Sequence, residues 1–164
     1  MPLSLPSFEL NDAGGTPFTF PSGRHSLVAV VGDGADAATD ATLRLMAAAA
    51  TTFGEAMDIL VVRTRGGGPG ALGERPGPHV TVLEDPAGVA LRALAATALP
   101  AVVFVSPGGE RLDGWTGFSR KAWQALFARL ISVTLQPAPV VEWLRFPPSA
   151  PARELARDAA RPGR

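Results

Sequence analysis

The chain has 164 residues, 15 basic against 15 acidic side chains, 46% apolar and 18% charged residues, and no cysteine. That length and apolar content suit one domain with a real core. The charge balance argues against a nucleic-acid surface, and the missing cysteine excludes disulfides, thiolate metal sites and thiol chemistry. Fourteen of the basic residues are Arg and one, Lys121, is Lys; Ala, Gly and Pro are also abundant, so Arg clusters carry reduced weight. No apolar run near the start has signal-peptide length, and none approaches the roughly 18 residues of a spanning helix. The expected location is therefore cytoplasmic, with neither membrane nor nucleic acid as a partner.

Phe8–Leu10 and Phe18–Phe20 flank the turn-rich Asn11–Gly15 and predict an N-terminal β-hairpin. Leu27–Val31 is a continuous apolar run, as a strand buried on both faces requires. After Gly32-Asp33-Gly34, the residues Leu43, Met46, Ala47, Ala50 and Phe53 form one stripe of an amphipathic helix. Ile59–Val62 predicts a second central strand. Residues 66–79 form a Gly/Pro loop without the G-K-[ST] of a phosphate loop, and His79–Leu83 reads as a strand. Asp85 then suits the N-cap and Pro86 the first position of a short helix.

Ala101–Val105 predicts a strand, Pro107–Gly109 a tight turn and Glu110–Gly114 its antiparallel partner. Ser119 is placed to cap a last helix whose stripe is Trp123, Leu126, Phe127, Leu130 and Ile131. From Gln136 the composition shifts, with six prolines in the last 29 residues. Residues 1–135 read as the domain, net −2, and residues 136–164 as a Pro/Arg-rich tail, net +2. The tail carries the apolar segment Val140–Phe146 and ends in Pro151–Arg164, a frayed helix or disorder. Trp115 is expected to cover one end of the sheet. Trp143 and Phe146 either fold back onto the body or form a patch that docks a second copy of the chain.

Leu27–Val31 followed by Gly32-Asp33-Gly34-Ala35-Asp36-Ala37 spells strand, G-x-G-x-x-A, helix, the context of a dinucleotide fingerprint, and Arg63 and Arg65 could hold a 2′-phosphate. Against this NADP-binding reading, a hairpin precedes the first central strand and the chain lacks room for two βαβαβ halves.

The order of elements resembles another group. Pro6–Leu10 with Gly14–Phe20, then Leu83–Ala90 with its Asp-x-x-Gly, then Leu99–Leu112 with its proline, strand and turn, resemble the redoxin (AhpC/TSA, peroxiredoxin-like and thiol–disulfide reductase-like) group of the thioredoxin-like superfamily. The likeness covers about residues 5–134. It implies an α/β thioredoxin-like fold, a mixed central β-sheet flanked by helices, with the N-terminal β-hairpin and an irregular C-terminal tail. It also implies a W-C-x-x-C start to the first helix, where the helix dipole lowers a thiol pKa, facing a cis-proline beside a backbone edge free to pair with a substrate strand. Carried onto this chain, the motif falls on Gly34–Ala38, with Ala35 and Ala38 at the sulfur positions, and Pro100 matches the cis-proline.

The resemblance therefore implies a redox-inactive thioredoxin-like protein whose cleft, formed by Gly34, Ala35, Asp36, Ala38, Thr39, Leu99 and Pro100, binds a peptide, a protein or a small ligand. Alternatives are a thiol oxidoreductase or peroxiredoxin-like enzyme whose cysteines are replaced at Ala35 and Ala38, or an enzyme running non-thiol chemistry at the same cleft. Asp33, Asp36 and Asp40 crowd the helix start, where carboxylates cap and complement the dipole, or else form an acid/base or metal-binding cluster. Thr39 offers a hydroxyl. His25 and His79 lack ligand-spaced partners. No catalytic residue, metal ligand or cofactor is assigned.

Overall fold

The structure, a computed structural model, describes residues 3–32, 36–64, 77 and 79–155. In chain order it contains β1 (Leu3–Ser4), β2 (Phe8–Asp12), β3 (Pro17–Phe20), β4 (Ser26–Val31), α1 (Ala37–Phe53), β5 (Asp58–Thr64), β6 (Val80–Asp85) and α2 (Val89–Ala93). There follow β7 (Ala98–Leu99), β8 (Ala101–Val105), β9 (Glu110–Thr116), β10 (Phe118–Ser119), α3 (Arg120–Thr134), a 3₁₀ turn at Trp143–Arg145, β11 (Ser149–Ala150) and β12 (Arg153–Glu154). Among the described residues, eight strands form one sheet in the order β1-β9-β8-β4-β5-β6-β2-β3. β4, β5 and β6 are parallel, and β8, β9 and the β2–β3 hairpin add antiparallel neighbours.

The three innermost strands are apolar on both faces because both faces are covered. Leu27, Ala29 and Val31 of β4, Ile59 and Val61 of β5, and Val102 and Phe104 of β8 face a core shared with α1 and α3. Their alternates Val28, Val30, Leu60, Val62, Val103 and Val105 face a second core with Phe8, Leu10 and Phe20 of the hairpin and Leu91 of α2. Three residues separate β1 at one sheet edge from β2 near the other, a reach of only about 10–14 Å. The hairpin accordingly lies across the second face. Its Asn11–Asp12 end joins β6, while Pro21, beyond its other end, packs near Gly109.

Several elements lie where expected. Phe8 pairs with Phe20 and Leu10 with Phe18 in the hairpin, and the Asp12 carboxylate accepts from the Gly14 and Thr16 amides to shape its turn. Ser119 caps α3 by accepting from the Ala122 amide, and Trp123, Leu126, Phe127 and Leu130 are buried. Trp115 meets Trp123 edge-on at 5.5 Å.

Other expectations are corrected. The buried face of α1 is Ala38, Thr39, Ala41, Thr42, Leu45, Met46, Ala49, Ala50 and Phe53; Leu43 and Ala47 sit at its margin. The β6 strand begins at Val80, since His79 has φ 67° and breaks the extended run. The short helix begins at Val89 rather than Pro86, because the strand continues through Asp85 and the chain turns at Gly88, whose φ of 71° suits glycine. Most of the Gly/Pro loop, with Arg65, lies outside the described residues, as do 156–164.

The described part of the tail, residues 136–155, lies on the body. Phe146 is buried, stacked on Phe118 at 6.0 Å with the Arg44 guanidinium 4.3 Å from its ring centroid, and Arg120 donates to its carbonyl. Trp143 is half-buried against Phe127 and Phe146. Both rings thus pack on the chain's own core.

Candidate functional site

The sulfur positions of the thioredoxin resemblance lie where β4 hands over to α1. Asp36 is the N-cap of α1: its backbone is extended, and its carboxylate accepts from the Thr39 amide at 2.7 Å. Asp40, in the first turn, is exposed and pairs loosely with Arg44 at 3.8 Å. Both placements complement the helix dipole. Ala38 and Thr39 point into the protein and are buried. Asp33, Gly34 and Ala35 lie outside the described residues. Among the described residues, no cluster of His, Asp or Glu is placed to hold a metal ion. His25 stacks on Phe104, and His79 packs against Gly54 on the far side of α1.

The other wall comes from the residues before β8. Leu99 and Pro100 are buried, and the peptide bond between them is cis. The Pro100 carbonyl accepts from the Gly117 amide at 2.8 Å, which fixes the turn against β10. A Cβ built on Gly32, at the end of β4, would lie 3.4 Å from Leu99 Cδ1. The end of β4 and the Leu99–Pro100 turn therefore meet.

The Ala98–Leu99 edge, expected to be free, is occupied. β12 of the tail pairs with β7 in antiparallel fashion, Arg153 opposite Leu99 and Glu154 opposite Ala98, and the Leu155 amide donates to the Thr97 carbonyl at 2.9 Å. Just before it, β11 pairs with β10, Ser149 opposite Ser119 and Ala150 opposite Phe118. Between tail and helix an open groove of about 330 Å³ remains, lined by Asp36, Ala37 and Ala38 on one side and Ala150, Pro151, Ala152 and Arg153 on the other. These tail contacts leave little trace in the residue pattern: two-residue strands have no periodicity to read.

The nucleotide reading loses support at the same place. Arg63, one of its two candidate phosphate ligands, makes a 3.0 Å ion pair with Glu84 on the neighbouring strand. The other, Arg65, lies outside the described residues.

No family model and no curated protein matches the chain. Solved structures do. The exposed lipoprotein thioredoxin Etrx1 of Streptococcus pneumoniae superposes with a TM-score of 0.62 at 18% identity, over 77% of this chain and 99% of that one. The thioredoxin domain of a thiol-disulfide oxidoreductase from Bacteroides vulgatus gives 0.63 at 15% identity, over 78% and 96%. A secreted disulfide oxidoreductase of Mycobacterium tuberculosis, described as homologous to DsbE of E. coli, gives 0.58 at 20% identity, over 76% and 95%. The fold is thioredoxin-like, and at these identities the likeness extends to fold alone. One neighbour is described as secreted and one as an exposed lipoprotein, so they lend no support to a cytoplasmic location. Among the described residues, no helix is long and apolar enough to cross a membrane. Two of these proteins are described as a thiol-disulfide and a disulfide oxidoreductase; this chain has no cysteine.

Proposed function

We propose that this cysteine-free thioredoxin-fold chain is a binding protein, and that its cleft takes an extended peptide by strand addition to the Ala98–Leu99 edge. One observation carries the reading: the edge holds a strand in antiparallel register, supplied by residues 153–154. An edge that orders two residues of its own tail has the spacing and, once that tail leaves, the free backbone groups to order another extended segment. Main-chain pairing would supply affinity and the flanking groove selectivity. Among the described residues of the helix start, Asp36 is engaged in capping, and Ala38 and Thr39 are buried.

Two measurements test the reading. In an insulin-reduction assay with dithiothreitol, the protein should give no rate above background; clear turnover would refute a binding-only role. Peptides selected from a displayed random library should, on titration into isotope-labelled protein, shift the amide resonances of Thr97–Leu99 and Asp36–Thr39. Shifts confined to another surface would refute the placement of the site.

A further inference from the structure

We infer that Ser149–Leu155 is a built-in ligand of this cleft: it closes the Ala98–Leu99 edge in cis, and a second peptide enters when it lifts. The inference rests on the peptide-binding reading above and adds the regulation of the site and the class of peptide it takes.

The contacts of the segment are those of a bound peptide. In an antiparallel ladder, hydrogen-bonded and non-hydrogen-bonded pairs alternate. Leu155 donates to Thr97, so the 155–97 and 153–99 pairs are the hydrogen-bonded ones, and Glu154–Ala98 lies between them. Leu155 packs against the second core and lines a small pocket with Thr64, Asp85, Pro86, Gly88 and Leu91. Upstream, Ala150, Pro151 and Ala152 cross in front of Asp36–Ala38 with small side chains only. The body makes room for that crossing at Gly117, where φ is 74° and a Cβ would lie 2.8 Å from the Ala150 carbonyl oxygen and 2.9 Å from the Ala152 nitrogen.

The tail is also attached unevenly. Phe146 is buried in the main core, whereas β12 is two residues long and exposed. Pro147 and Pro148 lie between the anchor and the segment. A segment of this kind detaches beyond the prolines while Phe146 stays seated. The peptides that replace it share its chemistry: extended, with small residues where Ala150–Ala152 lie and an aliphatic side chain at the position of Leu155.

The test uses a fluorescein-labelled peptide with the sequence of residues 148–155 and the full-length chain. Fluorescence anisotropy is read for the wild type, for Leu155→Pro, which removes the donor to Thr97, and for the double variant A98C/E154C. The chain has no other thiol, and the non-hydrogen-bonded 154–98 pair brings its Cβ atoms nearest. Leu155→Pro should bind the peptide at least about tenfold more tightly than the wild type. The oxidised double variant should not bind, and reduction should restore wild-type binding. Equal affinity in wild type, Leu155→Pro and both redox forms would overturn the strap while leaving edge binding standing. Absence of binding in every form would overturn both. A wild-type dimer that Leu155→Pro converts to monomer would show exchange of tails between copies and overturn closure in cis. Should Leu155→Pro misfold by circular dichroism, the oxidised and reduced forms of one polypeptide decide the matter.

Discussion

Replacing Asp85 by alanine should cost more stability than any other single charge change among the described residues. The Asp85 carboxylate is fully buried, and its oxygens accept from the amides of Val89 at 2.7 Å, Ala90 at 2.9 Å and Leu91 at 3.1 Å, the whole first turn of α2. An ordinary N-cap loss costs about 1 kcal/mol. Here three donors are orphaned and two of them are buried, each with a desolvation cost of about 1–3 kcal/mol. The small pocket beside Asp85 can admit water to one of them, so about 3 kcal/mol is expected. For a chain of this length that corresponds to a fall in Tm of roughly 6–12 °C. Asp85→Asn keeps one acceptor oxygen and should lose about half as much. Asp40→Ala, at an exposed carboxylate with a 3.8 Å ion pair, serves as the control and should change stability by about 0.5 kcal/mol. Urea unfolding followed by circular dichroism gives all three values. If Asp85→Ala were no more damaging than Asp40→Ala, the buried-cap argument would fail. The substitution also reaches the cleft, because Asp85 and Leu91 line the pocket of Leu155. Amide exchange at Leu155 should therefore quicken.

Phe146→Ala removes a buried ring stacked on Phe118 and covered by Arg44; it should cost about 3 kcal/mol and open the tail to trypsin at Arg145 and Arg153, whereas unchanged digestion would argue that the tail is held elsewhere. Gly117→Ala forces a Cβ into the Ala150 carbonyl at a φ of 74°; about 1–2 kcal/mol of destabilisation is expected, with the faster amide exchange confined to residues 149–155 and their partners. Leu144→Ala, at a side chain 93% exposed in the same apolar segment as Phe146, should leave Tm within about 1 °C, and a larger fall would mean that this side chain is covered in solution.

What could be read from sequence follows what each element buries. β4, β5 and β8 were legible because burial on both faces leaves an unbroken apolar run, and α3 because its large apolar side chains contrast with an opposite face of small and polar residues. α1 was legible as a helix but not as a face: Ala38, Ala41, Ala49 and Ala50 are buried, and alanine is equally at home outside, so the stripe through Leu43 and Ala47 came out rotated. Asp85 was recognised as a cap, yet the helix start was misplaced by three residues because the carboxylate acts from the end of a strand, across the Gly88 turn. At the site, the Leu99–Pro100 turn before β8 was legible from the order of elements. The occupied edge was not. Val140–Phe146 looked uniformly sticky, but Val140 and Leu144 are exposed while Phe146 is buried, and no periodicity marks which side chain anchors a segment without regular structure.

The energetics of that segment explain why the edge can be both closed and accessible. Ordering a residue costs about 1–2 kcal/mol of backbone entropy, and a hydrogen bond returns about 1 kcal/mol net. Over Ser149–Leu155 the pairs with β10 and β7 and the partial burial of Leu155 outweigh that cost by only a small margin, about the 1.4 kcal/mol of a tenfold equilibrium. Phe146 lies on firmer ground, since full burial of such a ring stabilises by about 1.5–3 kcal/mol before its stacking contacts are counted. Stability along the tail therefore falls from Phe146 towards Leu155. Local opening of the described segment runs from Leu155 back to the prolines. Because Phe146 keeps the segment tethered, its effective concentration at the edge stays high, in the millimolar range for a short linker. A competing peptide must therefore bind the open edge well below that concentration to displace it. On the proposed reading, such a cleft would ignore weak, unspecific extended chains and answer to segments that pair with Ala98–Leu99 and also fill the pocket of Leu155.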